Sequence, residues 1–117
     1  MLRVGIGGGL IGLMVSYGAH ADGLRPPLEK QFFDYFNDRC VAGLRIEAEK
    51  AGKNPDDTPI QKTIGSYCSC TSQAVVSFLG AEEIVIFAID PAKPEVAAKM
   101  QPYFQSCKEK SRQAAAQ

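Results

Sequence analysis

Histidine is the most informative shortage in this sequence. The chain has a single histidine, His20, in an N-terminal segment that is expected to be removed on export. Because histidine is the commonest general base and the commonest metal ligand, its loss excludes a serine–histidine catalytic pair. A serine–lysine pair is not excluded, but no motif indicates one. We therefore predict no catalytic residue, no metal site and no cofactor. The protein is expected not to be an enzyme.

The sequence also lacks any long block of one charge sign. Thirteen Lys and Arg residues balance 13 Asp and Glu residues, and they are scattered apart from the short basic-leaning stretch Lys108–Arg112. A nucleic-acid-binding protein would carry a basic stripe, so no nucleic-acid partner is expected. The carboxylate pairs Asp56-Asp57 and Glu82-Glu83 stand where helix starts favour negative charge, so capping explains them without acid–base chemistry.

No apolar run reaches the roughly 20 residues that a membrane span needs. The nearest is Val4–Val15, which five glycines interrupt. Its GIGGGLIG stretch is not a phosphate loop, because it does not stand between a strand and a helix. Arg3 precedes this run and Ala19-His20-Ala21 follows it, which is the order of a secretory signal peptide. We predict a signal peptide at 1–21, cleaved between Ala21 and Asp22, and a single periplasmic or secreted domain at 22–117 with no membrane span.

Two long helices are predicted in the first part of that domain, because apolar residues recur there at helical spacing. The first is expected over Leu28–Ala51, between Pro26-Pro27 and Gly52. The second is expected to start at a cap formed by Asp57 or Thr58 and to end at Leu79. Because the connection is short, these two helices should lie antiparallel.

The remaining sequence is expected to form one short and one long helix. Ala81–Ile89 includes a strand-like run, Ile84–Phe87, but no second strand candidate exists to pair with it, so it is predicted as a short buried helix. The last helix should begin at Pro94, and Pro102 is expected to kink or split it. The tail should fray from about residue 109. The fold class is therefore an all-α, disulfide-stapled bundle of three main helices and one short one.

Apolar faces follow both long helices. In the first, Phe32, Phe33 and Phe36 are interpreted as core residues, with a binding face as the alternative. This face also includes Tyr35, Cys40 and Leu44. The stripe of the second helix comprises Ile60, Ile64, Tyr67, Thr71, Val75 and Phe78.

The four cysteines predict two disulfides, because an even number in a small exported domain is typical of a disulfide framework. Cys68 and Cys70 point about 200° apart on a helix, so they should not bond to each other. One is expected to face the first helix through Cys40, and the other the last helix through Cys107. Counting back from the hairpin turn favours Cys40–Cys70 with Cys68–Cys107 and leaves the opposite assignment open.

Two other interpretations of the Cys68-Ser69-Cys70 motif compete with two structural disulfides. A redox pair normally has C-x-x-C spacing and a cysteine at a helix N-terminus, whereas Cys68 lies well inside its helix. A four-thiolate zinc site normally shows paired C-x-x-C knuckles, and the expected compartment is oxidising. The staple interpretation is therefore favoured, and thiol–disulfide exchange remains the alternative function.

Tyr67-Cys68-Ser69-Cys70, the Leu79–Glu83 turn and the late Cys107 together resemble small exported helical proteins of Gram-negative bacteria. The resemblance implies a periplasmic helical domain and supplies no activity. Immunity proteins against cell-wall amidases are similar in size and cysteine use, although Cys40-Val41-Ala42-Gly43 departs from their cysteine-x-glycine signature. The leading hypothesis is a non-catalytic protein that binds a protein partner or supports envelope maintenance. An acid-stress chaperone is a further alternative.

Overall fold

The computed structural model describes residues 25–116, which form four α-helices. They are α1 (Pro26–Lys50), α2 (Thr58–Phe78), α3 (Ala81–Ile89) and α4 (Pro94–Ala116). The predicted all-α bundle of three long helices and one short helix is confirmed. The predicted signal peptide and its cleavage between Ala21 and Asp22 lie outside the described residues and stay predictions.

The turn between α1 and α2 is closed by local hydrogen bonds. Gly52 has a φ of 76°, the left-handed conformation that glycine adopts without strain just after a helix. The backbone N–H groups of Gly52 and Lys53 donate to carbonyls in the last turn of α1, at 3.0 and 2.9 Å. Arg45 then ties the turn back to α1, donating to the Pro55 carbonyl at 3.3 Å and to the Asp56 carboxylate at 2.7 Å. These contacts hold the turn before α2 against the end of α1.

Helix α3 is a single short helix held at its start by one carboxylate. Glu83 accepts a hydrogen bond from the Gly80 backbone N–H at 2.9 Å and another from the Lys99 ammonium of α4 at 2.8 Å. The prediction of a helix here is confirmed. The prediction that this helix is buried is wrong, because only Ile84 is fully buried, while Val85 and Ile89 are exposed.

Helix α4 is continuous through Pro102, so the predicted split is wrong, and the alternative of a kink there stays a prediction. Pro102 lies on the exposed side of the helix, where the carbonyl left without its usual N–H donor can reach water. The predicted fraying from residue 109 is also wrong. The helix continues to Ala116, and within its last part Ser111 is buried, with its hydroxyl donating to the Lys108 carbonyl at 2.6 Å.

Helix α2 lies in the middle of the bundle, with α1 on one side and α4 on the other. On a third side α3 bridges the two outer helices, because the ring of Phe87 lies 5.4 Å from that of Phe36 on α1 and 6.1 Å from that of Phe104 on α4. The core sits where the four helices meet. Its buried members are Phe36, Ala74, Val75, Val76, Leu79, Ile84, Val96 and Met100.

Candidate functional site

Both disulfides start from α2 and run to different helices. Cys40 on α1 bonds Cys68, and Cys70 bonds Cys107 on α4, each pair with its Cα atoms 5.6 Å apart. The prediction that Cys68 and Cys70 face different helices is therefore confirmed. The favoured pairing, Cys40–Cys70 with Cys68–Cys107, is wrong.

The register of the hairpin explains that error. Helix α1 ends at Lys50 and α2 begins at Thr58. Cys40 and Cys68 are then equally distant from the turn, since ten residues separate 40 from 50 and 58 from 68. If α1 ended at residue 51 or 52 instead, the residue of α2 at the same distance from the turn as Cys40 would shift toward Cys70. One or two residues at a helix end thus decide which of two cysteines receives the bond.

The two disulfides leave no thiol among the described cysteines. Cys68 has no exposed surface and Cys107 is 2% exposed, so each bond has one sulfur inside the bundle. With the four sulfurs bonded in pairs, none is available as a thiolate ligand in this state. No cluster of metal-ligating side chains occurs in the described part of the chain.

A groove runs between α2 and α4 on the side of the bundle away from α3. It encloses about 620 Å³. Its polar lining comes from Ser66, Ser69, Gln73, Ser77, Ser106 and Lys110. Its remaining lining is Phe33, Cys70, Ala74, Phe78, Tyr103 and Cys107. The helical spacing of Ser66, Ser69, Gln73 and Ser77 puts these four residues on one face of α2, which forms the floor.

Two aromatic rings stack at one end of this α2–α4 groove. The rings of Phe78 and Tyr103 are nearly parallel, with an angle of 12° and centroids 4.2 Å apart. Phe78, the last member of the apolar stripe of α2, is 50% exposed. It lies at the last residue of α2, where α4 supplies a neighbour on one side only. One face of the ring is left open toward the groove.

The aromatic run of α1 does not form one buried face. Phe36 is 8% exposed and belongs to the core, whereas Phe32 and Phe33 are half-buried and point to different surfaces. Phe33 lines the α2–α4 groove, and Phe32 lines a separate groove of about 300 Å³ between α1 and α3. Tyr35 is 42% exposed, so its predicted place in the buried face is wrong. Within residues 25–116, α1 has neighbours on only two sides, so it cannot bury so wide an apolar arc.

A second surface follows the side of α1 that faces away from α2. Six residues of α1 are spaced four and three residues apart along it, and we call them the outer stripe. They are Leu28, Phe32, Tyr35, Arg39, Ala42 and Ile46. Phe32 is half-buried and the other five are exposed. The guanidinium of Arg39 lies over the Tyr35 ring, 5.4 Å from its centroid. Ala88 of α3 lies beside the N-terminal half of the stripe, and Val85 and Ile89 of the same short helix are 47% and 80% exposed.

Sequence reasoning missed both surfaces, although each left a signal. The groove floor is a run of small polar residues on α2 at helical spacing, which the sequence alone presents as an ordinary solvated face. The residues of the outer stripe are spaced alternately four and three residues apart, and they lie on the same helix as the core-facing residues of α1. Two overlapping apolar patterns on one helix are hard to separate before the neighbouring helices are known.

No helix in the described part of the chain is long and apolar enough to cross a membrane. Comparison of the chain with protein-family models, with curated proteins and with solved structures gives no match.

Proposed function

We propose that this protein is exported and acts in an oxidising compartment as a non-catalytic binding protein, which holds a segment of a protein partner in the α2–α4 groove. The observation that carries the proposal is the groove itself. Its volume of about 620 Å³ falls within the range usual for binding clefts, roughly 300–1,000 Å³. Apolar rings with a few polar groups around them are also typical of such sites.

The lining favours a peptide segment as the occupant. The open ring face of Phe78 suits an apolar or aromatic side chain. The serine hydroxyls and the Gln73 amide both donate and accept hydrogen bonds, which suits backbone N–H and C=O groups. Among the described residues, Lys110 is the one charged side chain that lines this groove, so the segment is expected to carry a carboxylate near it.

The disulfides support a binding role through rigidity. Cys70–Cys107 joins the two helices that wall the groove, so the gap between them is fixed before a ligand arrives. A site that is already in its bound shape loses less conformational entropy on association, which raises affinity. Two disulfides also suit an oxidising compartment such as the periplasm or the cell exterior.

Site-specific photo-crosslinking in cells tests this proposal. A photo-reactive residue at Gln73, on the groove floor, is expected to give a discrete adduct with a partner. The same residue at Lys62, exposed on α2 and outside the groove, should not. Phe78→Ala or Lys110→Glu, introduced beside the Gln73 label, should weaken the adduct because each removes one element of the groove chemistry.

The outcome against the proposal is equally specific. Adducts of equal intensity from positions 73 and 62, or an adduct that neither substitution weakens, would mean that the groove is not the binding site. Phe78 and Lys110 are both exposed, so their replacement should leave the fold intact. Circular dichroism and a thiol count on each variant verify that.

A further inference from the structure

The outer stripe of α1 has the spacing of a helix–helix seam. Steps of four, three, four, three and four residues lead from Leu28 to Ile46, and this alternation keeps side chains on one line along paired helices. The seam lies on exposed surface, since Leu28, Tyr35 and Ile46 are between 42% and 50% exposed. It extends over about five helical turns, roughly 27 Å.

We infer that a second copy of this chain packs on the outer stripe, with the two α1 helices antiparallel. In an antiparallel pair centred on the stripe, Leu28 meets Ile46 of the other copy and Phe32 meets Ala42. Each of these layers occurs twice, because the pair has two-fold symmetry. A large ring against a small methyl group fills the second layer without crowding.

Charge also favours the antiparallel orientation. In its central layers Arg39 of each copy meets Tyr35 of the other, and a guanidinium is attracted to the face of an aromatic ring. The same two side chains already pair within one chain, at 5.4 Å. A parallel pair in register would instead place Arg39 against Arg39, and like charges directly opposed destabilise a contact. A single polar residue in a seam commonly fixes register and orientation in this way.

Helix α3 completes the surface instead of obstructing it. It flanks only the N-terminal half of the stripe, where Ala88 borders the groove formed with Leu28, Phe32 and Tyr35. In the antiparallel pair that half faces Ala42 and Ile46 of the second copy.

Sedimentation equilibrium of the exported protein, with both disulfides intact, tests the inference through a charge-pair rescue. The wild-type chain should be a dimer that dissociates on dilution. Leu28→Lys and Ile46→Glu should each weaken the dimer about tenfold or more, because each change occurs twice in a two-fold contact. The double variant places a lysine opposite a glutamate in both outer layers and should recover an affinity within about threefold of wild type.

Each alternative outcome overturns the inference. A wild-type chain that stays monomeric leaves no self-association to explain. A double variant as weak as the single ones means that positions 28 and 46 do not meet. Ala98→Lys, an equal charge change on exposed α4, is the matched control and should leave the dimer unchanged.

Cross-linking without any charged substitution keeps the test decisive if a charged variant folds poorly. A photo-reactive residue at the exposed Ala42 should attach near Phe32 of a second copy, which a mixture of heavy and light isotopic chains distinguishes from attachment within one chain. Attachment near Ala42 of the second copy would indicate a parallel pair and overturn the proposed orientation. Neither experiment involves the α2–α4 groove, so failure here and failure of the proposed function are separate results.

Discussion

At the scale of single residues, Glu83 has the clearest electrostatic environment in the described chain. The hydrogen bond from Lys99, and then that from the Gly80 N–H, lower the pKa of the Glu83 carboxyl from its ordinary value of 4.5. A carboxyl whose pKa is lowered by folding stabilises the fold above its unfolded pKa, and that contribution is lost as the pH falls through the folded pKa. Glu83 therefore supports α3 at neutral pH and ceases to do so in acid.

Two substitutions separate the two contacts of Glu83. Glu83→Gln keeps an oxygen for the Gly80 N–H but loses the ion pair with Lys99, and it should lower the free energy of unfolding at pH 7 by about 0.5 kcal/mol, since the pair is largely solvent-exposed. Glu83→Ala also loses the cap and should cost about 1 kcal/mol or slightly more. Urea unfolding at pH 7 and at about pH 3 measures both.

The measurement in acid tests whether the charge of Glu83 is responsible for the difference in stability. The difference between wild type and Glu83→Gln should shrink as the pH falls below 4.5, because the wild-type carboxyl is then becoming protonated as well. A difference that stays constant across this range would mean that the charge of Glu83 contributes nothing and that the loss came from packing.

At the scale of helices, glycine distinguishes positions that need its backbone freedom from positions that do not. Gly65 lies inside α2, exposed, with open space where a Cβ would stand. Gly65→Ala should therefore stabilise the protein by about 0.5–1 kcal/mol. Gly52→Ala should destabilise it by about 1 kcal/mol, because Gly52 has a positive φ that side chains disfavour. Thermal or urea unfolding of both variants checks the opposite signs, and two shifts in the same direction would contradict this account.

The helices themselves were largely readable from the sequence. Their existence follows from apolar spacing and from punctuation at Pro26-Pro27, Gly52, Pro59 and Gly80. Continuity through Pro102 was not readable, because it depends on the side of α4 that faces water. The continuation of α4 after residue 109 could not be predicted either, because it depends on the burial of Ser111 by neighbouring residues. Such information lies in the packing of one helix on another.

The candidate surfaces were less readable than the helices. The number and spacing of the cysteines predicted two disulfides. Predicting which cysteines pair requires the register of α1 against α2 to within one residue. The exposed aromatic at Phe78 could not be told from a core residue, because it continues the same apolar stripe as Val75. Whether a side chain on such a stripe is buried depends on where the adjacent helix ends.

At the scale of the whole molecule, the two disulfides should differ in reactivity. Cys70–Cys107 lines the open groove of about 620 Å³, whereas Cys40 borders a smaller cavity of about 180 Å³ and Cys68 has no exposed surface. Thiol attack requires access to a sulfur, so limited treatment with a dithiol at neutral pH should open Cys70–Cys107 first.

Alkylation followed by peptide mapping measures that order. The first partly reduced species should be labelled at Cys70 and Cys107 alone. Early labelling of Cys40 and Cys68 would mean that the outer end of the first disulfide is more accessible than the groove. A stable product with Cys68 bonded to Cys70 would instead support thiol–disulfide exchange by the C-x-C pair.

The placement of both bonds on one central helix has a mechanical consequence. A force applied at the two ends of the oxidised chain passes from Cys40 directly to Cys68, crosses Ser69, and leaves from Cys70 to Cys107. The stretches 40–68 and 70–107 are closed loops that carry no tension along their length. Within the described residues, a pulling device such as a translocation motor or an unfoldase could draw out only 25–40, 68–70 and 107–116 as a single strand.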